Sequence, residues 1–281
     1  MLNKIQTIDF KEKGADKLFV QSLHDTGFAI IHNHTINTNK IINIYKEWNL
    51  FFANEDKYNY LFDHEKQDGY FPFKSENAKG SINKDLKEFY HFYLWGRHPN
   101  NITNDTQDIF YDLINLGKTL LDWIEINSPE KIKKLYTIPL SKMIENSNMN
   151  LLRIIHYPPI EDKKTYGSIR AAAHEDINLI TLLSPGSESG LQVLNNKGEW
   201  IDIKSNPEWL VINTGDMLSE CSNNYFPSTT HRVINPIGAA SLKSRFTIPL
   251  FIHPRDEVIL SKRYTASSFL NERLKEIGLK S

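Results

Sequence analysis

The feature that most narrows the folds open to this chain is a change of period at Asn150. Before it, apolar residues recur every three or four positions: Ile109, Leu113, Leu116, Leu120 and Ile124, within 106–126, describe one face of a long helix. After it the pattern turns to strand-like alternation, with turn residues every eight to twelve positions, which is how a β-sandwich or barrel reads. The expected fold is mainly β with a helical N-terminal half, an α+β chain. The same reading predicts a short edge strand within 4–10 and a helix over 11–25 with Leu18, Phe19 and Leu23 on one face, stopped by Gly27. A strand follows at 28–31, then a helix over 39–54 with Ile42, Tyr45, Leu50 and Phe51 as its contacts. Residues 56–69 read as loop or a short turn, and 69–80 as an irregular segment over the mouth of the barrel. Residues 87–95 form an aromatic strand. A helix from Pro129 carries Ile132, Leu135 and Leu140 to near Asn146, and the tail returns to a helix over 265–277 with Phe269, Leu270 and Leu274.

Composition excludes several kinds of function. Among 281 residues, 33 basic and 34 acidic side chains nearly cancel, so neither a nucleic-acid surface nor a charged tail is expected. The single cysteine, Cys221, rules out an intramolecular disulfide and fits a reducing, cytoplasmic compartment. No apolar run approaches the roughly 20 residues of a membrane span, and the first residues lack the apolar core of a signal peptide. A small molecule is the partner this leaves.

The chemistry is concentrated between Arg170 and Ile252. His174-Glu-Asp176 is the one His-x-Asp or His-x-Glu in a chain with ten histidines. On a strand, residues i and i+2 share a face, so His174 and Asp176 project together while Glu175 points away. With a distal His231, two imidazoles and one carboxylate make the facial set that holds Fe(II) and leaves positions open for a chelating oxo acid and for O2. Arg245 and Thr247 obey the same rule. A guanidinium and a hydroxyl side by side can hold the far carboxylate of a dicarboxylate. His253 with Arg263-Tyr-Thr265 mimics this arrangement, but His253 leads into a turn-like Pro254-Arg-Asp-Glu run and Thr265 into a helix. His32 and His34 have no acidic partner nearby and read as structural.

In these residues the chain resembles the 2-oxoglutarate/Fe(II) dioxygenases related to isopenicillin N synthase. Leu179-Ile-Thr-Leu-Leu183, Gly190-Leu-Gln-Val193, Gly198-Glu-Trp-Ile-Asp202, Gly215-Asp-Met217 and His231-Arg-Val-Ile-Asn-Pro236 look like that family's catalytic half. Arg153-Ile-Ile-His-Tyr157-Pro158 is similar to the strand that brings a tyrosine to the oxo acid. The segments 23–34, 69–73 and 85–89 resemble its N-terminal units. The resemblance implies a double-stranded β-helix core of the jelly-roll, cupin-like kind. It divides the chain into a helix-rich region over 1–148, an iron- and oxo-acid-binding core over 149–264 and a C-terminal helix over 265–281. It adds Tyr157 to Arg245 and Thr247 as holders of 2-oxoglutarate. Two departures stand out: Arg-x-Thr replaces the usual Arg-x-Ser, and Ile155-His156 stands where many relatives have Asn-Tyr.

The implied reaction is hydroxylation of a small organic metabolite, or its desaturation or cyclisation, with release of succinate and CO2. Phe251 falls where relatives place an aromatic against the substrate. Arg170 either pairs with a substrate carboxylate or lies at the surface. The aromatic strand either packs the core or lines the pocket, with Tyr90 and Phe92 as its contacts. Two other readings remain open: an iron oxidase of the isopenicillin N synthase or aminocyclopropane-carboxylate oxidase kind that uses no 2-oxoglutarate, and a non-catalytic metal-binding protein on the same scaffold.

Overall fold

The computed structural model describes residues 5–76, 83–160, 168–184 and 186–276. The chain begins with β1 (Thr7–Asp9), α1 (Ala15–Thr26), β2 (Phe28–His32) and α2 (Thr38–Ala53). After a 3-10 turn over Glu55–Tyr60 come β3 (Gly69–Phe71), β4 (Glu88–Phe92) and the long α3 (Asp105–Asn127), then the single turns α4 (Glu130–Lys133) and α5 (Leu140–Met143). The second half runs β5 (Leu151–Tyr157), β6 (Ala171–His174), β7 (Ile180–Leu183), β8 (Leu191–Leu194), β9 (Trp200–Asp202) and β10 (Leu210–Thr214). It ends with α6 (Asp216–Cys221), β11 (His231–Val233), β12 (Arg245–Thr247), β13 (Pro249–Ile252) and α7 (Ala266–Glu276). No helix among the described residues is long and apolar enough to cross a membrane.

The strands form a sheet-rich core. A nine-stranded sheet runs β1-β2-β10-β7-β13-β5-β4-β3, with β12 also paired to β5, and a four-stranded sheet runs β6-β11-β8-β9. The N-terminal region therefore contributes four strands, β1 to β4, to the same sheet as β5, β7, β10 and β13.

Alternation sorts the side chains of the large sheet between two environments. Ala29, Ile31, Leu152, Ile154, Leu182, Ile212, Leu250 and Ile252 join Phe19, Leu23, Ile44, Trp48, Leu116 and Leu120 of α1, α2 and α3 in the main core. The opposite face meets the small sheet in two patches. Phe28, Ile30 and Val211 pack against Leu191 and Val193, while Phe89, Ile155 and Tyr157 pack against Ala171 and Val233. The space between the sheets is where the site lies.

Local chemistry accounts for the boundaries. The Asn37 side chain accepts hydrogen bonds from the backbone N–H of Asn39 and Lys40, at 3.0 and 3.4 Å, and so starts α2. The buried face of α2 is Ile41, Ile44, Trp48, Phe51 and Phe52, whereas the expected contacts Ile42 and Leu50 are exposed. The stripe follows the large aromatic rings. Leu18 of α1 is likewise exposed. The single helix expected from Pro129 is two separate turns; Pro139 stands at the N-cap of the second, where its missing N–H and its restriction of Ile138 keep it out of a helix interior. Gly69–Phe71, expected to be irregular, pairs with Phe89–His91 in the sheet; residues 77–80 of that expected segment lie outside the described residues.

Gly27 ends α1 in the left-handed region at φ +70°, its N–H donating to the Leu23 carbonyl at 2.8 Å. A Cβ there would lie 2.6 Å from the Pro227 carbonyl oxygen. Gly27→Ala is therefore expected to cost about 1–3 kcal/mol of stability. Urea unfolding would read this as a lower midpoint at constant slope; an unchanged midpoint would mean the cap tolerates a side chain.

Candidate active site

His174 and His231 are direct cross-strand partners on β6 and β11, with ring centroids 4.4 Å apart. Each Nδ1 lies against a backbone carbonyl: that of Ala172 at 2.7 Å for His174, and that of Thr229 at 3.2 Å for His231. A carbonyl can only accept, so both Nδ1 atoms carry the proton and both Nε2 lone pairs are free. Asp176 follows just past β6. Its Oδ2 accepts from Thr181 Oγ1 at 2.6 Å and from Asn213 Nδ2 at 2.8 Å. That leaves Oδ1 to face His174 Nε2 at 3.9 Å and His231 Nε2 at 3.8 Å. The three donor atoms lie within 4.8 Å of one another. Two neutral imidazoles and one carboxylate oxygen converging on one small space fit a divalent iron.

The electrostatics agree with that donor set. Burial, with the neighbouring His231, pulls the His174 pKa down to about 4, so the ring is neutral at physiological pH. Burial alone would raise Asp176. His231, His174 and the bonds from Asn213 and Thr181 outweigh it and hold the carboxyl below its ordinary value.

Arg245 on β12 stands directly across from Tyr157 on β5, and its guanidinium carbon is 5.1 Å from the tyrosine ring centroid. Its Nε donates to the Glu188 carbonyl at 2.9 Å, while its Nη1 is buried without a hydrogen-bond partner. Thr247, two residues on, turns its hydroxyl to the Ser184 carbonyl at 3.2 Å. Ile155 places an apolar side chain beside Tyr157. His156 lies on the other face, stacked on Phe246 at 4.5 Å and bonded to Glu88 at 2.7 Å.

A cavity of about 900 Å³ opens on His174 and Asp176 and is lined by Phe251. Two expected substrate contacts are corrected. Tyr90 and Phe92 point to the helix side of β4: Tyr90 packs between Trp48 and Phe51, and Phe92 stacks on His98. The opposite set faces the cavity, and His91 and Tyr93 line it. The register explains this, because His91 pairs with Arg153, which shares its face of β5 with Ile155 and Tyr157. Arg170 is also relocated. It is neither at the surface nor in the cavity wall but fully buried, with its guanidinium carbon 5.9 Å from the Tyr157 ring.

The cavity wall carries a charge network that the sequence reading missed. Lys87 Nζ sits 2.9 Å from both Glu76 and Asp85, and Arg153 Nη1 is 3.6 Å from Glu76. Arg153 Nε donates to His91 Nε2 at 2.9 Å, and His91 Nδ1 meets the Gln67 carbonyl at 2.8 Å. This geometry requires neutral His91; burial and the adjacent Arg153 hold its pKa well below the ordinary value. Arg153 was recoverable from alternation, four residues before Tyr157 on the same face. Glu76 was not, since it reaches the site from a loop. His253 lines the same cavity but stands outside the metal cluster, while Arg263 is exposed and Thr265 bonds Ser268 at the start of α7.

Comparison with known proteins agrees with this geometry. Residues 148–254 match the profile of the 2OG-Fe(II) oxygenase superfamily, and residues 5–109 match that of the N-terminal region of non-haem dioxygenases in morphine synthesis. A crystal structure of a Caulobacter crescentus protein assigned to the 2OG-Fe(II) oxygenase family is 30% identical, covers 97% of this chain and 99% of that one, and superposes with a TM-score of 0.81. The chain belongs to the 2OG-Fe(II) oxygenase superfamily. A Shewanella oneidensis chain assigned as an oxygenase is 48% identical to this oxygenase over 98% of its length and 99% of the other, with a TM-score of 0.89. Gibberellin 2-beta-dioxygenase 1 of Arabidopsis thaliana is 26% identical over 271 residues, 89% of this chain and 78% of that one. The protein is thus an enzyme that uses Fe(II), 2-oxoglutarate and O2.

The two bonds on Asp176 Oδ2 provide a direct test of the donor geometry. Asn213→Ala or Thr181→Val is expected to weaken Fe(II) binding by about 10–100-fold, measured by anaerobic titration against a competing chelator. Wild-type affinity in both variants would show that the carboxylate is oriented by something else.

Proposed function

We propose that His174, Asp176 and His231 bind the iron, that Arg245, Thr247 and Tyr157 receive the C5 carboxylate of 2-oxoglutarate, and that a small organic molecule is oxidised in the cavity beside Phe251. The convergence of Asp176 Oδ1 with the two bare Nε2 atoms carries this reading. In the proposed division of labour, the region over 149–264 holds the iron and oxo acid, the region over 1–148 adds Lys87, His91 and Tyr93 to the cavity wall, and α7 (Ala266–Glu276) closes one side. Phe269 and Arg273 of α7 line the cavity.

Iron with 2-oxoglutarate supplies oxidation of an unactivated C–H bond, coupled to decarboxylation of the oxo acid to succinate and CO2. The chain's own groups do the rest. The Thr181 and Asn213 bonds keep Asp176 from swinging away. Ala172 and Thr229 fix the histidine tautomers. Phe251 presents an apolar surface, with the Arg153 guanidinium 5.3 Å from its ring and 4.6 Å from that of Phe89. Hydrogen-bond donors beside aromatic faces favour a compact substrate with an apolar or planar body and polar edges. Arg170 is outside the cavity wall, so it no longer argues for an acidic substrate. The cations Lys87 and Arg153 are largely neutralised by Glu76 and Asp85. Glu76 is held well below the ordinary carboxylate range because Lys87 and Arg153 outweigh its burial.

Arg245→Leu is expected to raise the 2-oxoglutarate requirement at least ~100-fold, since truncating one partner of a buried charge pair costs about 2–5 kcal/mol. The measurement is the anaerobic visible band of the Fe(II)–oxo-acid chelate as a function of 2-oxoglutarate. An unchanged midpoint would remove Arg245 from the site. Phe251→Ala is expected to uncouple the reaction, so that succinate is still released while less product forms per succinate. Equal stoichiometry in variant and wild type, measured on a metabolite that stimulates succinate release, would place the substrate elsewhere.

A further inference from the structure

Arg170 and Arg245 approach the same ring. Their guanidinium carbons lie 5.9 and 5.1 Å from the Tyr157 centroid. Both arginines are buried, with exposures of 0% and 2%. Among the described residues the Arg170 side chain makes one hydrogen bond, Nη2 to the Lys243 carbonyl at 2.9 Å, and its Nε and Nη1 have no partner. Arg245 Nη1 is likewise unpartnered. Among the described residues, no carboxylate comes within ion-pair distance of either guanidinium. Glu188, the acid whose charge bears on Arg170, pairs with Lys243 at 3.5 Å and meets Arg245 through its backbone carbonyl.

Two buried cations with three unsatisfied N–H-bearing atoms, and no counter-charge among the described residues, are costly unless an anion completes the site. Burial and the charge of Arg245 draw the Arg170 pKa down to about 10, which leaves it charged at physiological pH. Aromatic stacking on Tyr157 satisfies none of the three donor atoms. The group required is an anion with several acceptor lone pairs, and a carboxylate offers about four.

We propose that Arg170 is a second guanidinium for the distal carboxylate of the oxo acid, which lies between Arg170 and Arg245 against Tyr157. This rests on the assignment of Arg245 to that carboxylate and adds to it a residue that fixes the length and charge of the acid accepted. Ile155, on the same face of β5 as Tyr157, has no donor to offer, so Arg170 supplies what that position lacks.

The test compares 2-oxoglutarate with pyruvate, a 2-oxo acid without a distal carboxylate, by anaerobic calorimetry on the Fe(II)-loaded wild type, Arg170→Met, Arg170→Lys and Arg245→Leu. Arg170→Met is expected to bind 2-oxoglutarate at least ~10-fold more weakly, with pyruvate affinity changed less than about twofold and Arg170→Lys between the two. The metal-free Arg170→Met protein is expected to melt no lower than wild type, because an unpaired buried charge has been removed. Equal loss for both acids, or unchanged 2-oxoglutarate binding in Arg170→Met, overturns the proposal. So does a lower melting temperature with discrimination intact, which would assign Arg170 to packing. If Arg245→Leu loses discrimination and Arg170→Met keeps it, the Arg245 assignment stands without Arg170. If the wild type binds both acids equally, both assignments fall. Should Arg170→Met not fold, Arg170→Lys and Arg170→Gln give the same comparison.

Discussion

The site depends on a carboxylate held from across the sandwich. His174 and His231 belong to the small sheet, but the oxygen of Asp176 that does not face them is tied to Thr181 on β7 and Asn213 on β10, neighbouring strands of the large sheet. Both sheets thus act on one small cluster of side chains. A carboxylate free to rotate would present either oxygen, or neither, to the imidazoles. With Oδ2 occupied by two donors, only Oδ1 is left, and the three donor atoms share one small space. Precision of this kind comes from packed strands rather than loops, since neighbouring strands are locked in register by their ladders.

Polarity within the sandwich is divided in two. Along the cavity wall the charges are matched, with Lys87 set between Glu76 and Asp85 and Arg153 beside Glu76. Around Tyr157 they are not, and Arg170 and Arg245 leave donors unused. Matched groups form a rigid wall that a ligand can rest against without supplying charge. Unmatched groups form a site that needs a ligand's charge, which suits a small, strongly anionic co-substrate. On the proposed assignments, the end that recognises the dicarboxylate is thereby separate from the end that meets the organic substrate.

The helices have a simpler part. α1, α2 and α3 cover the outer face of the large sheet through Phe19, Leu23, Ile44, Trp48, Leu116 and Leu120, and this leaves the inner face free for polar work. Because strand side chains alternate, each residue placed in the outer core sends its neighbours to the cavity side. Glu88, Tyr90 and Phe92 face the helices, so Lys87, Phe89, His91 and Tyr93 face inward.

Much of this was legible from the residues alone. The period change at Asn150 marks the start of the continuous strand half, and the i, i+2 spacing of His174 with Asp176 and of Arg245 with Thr247 requires only an extended backbone. Gly27 announced a helix stop through its own conformational freedom, and Pro139 could have announced the break between α4 and α5. Alternation also split the aromatic strand into two faces, but it could not say which face was inward. That choice is made by the register of β4 against β5, a pairing between residues sixty or more positions apart. The same limit hid the hydrogen bonds on Asp176, the reach of Glu76 to Lys87, and the approach of Arg170 to Tyr157. Local sequence specifies period, turns and which residues share a strand face. Only the folded sandwich decides which faces meet, and so which charges are paired and which remain open for a ligand.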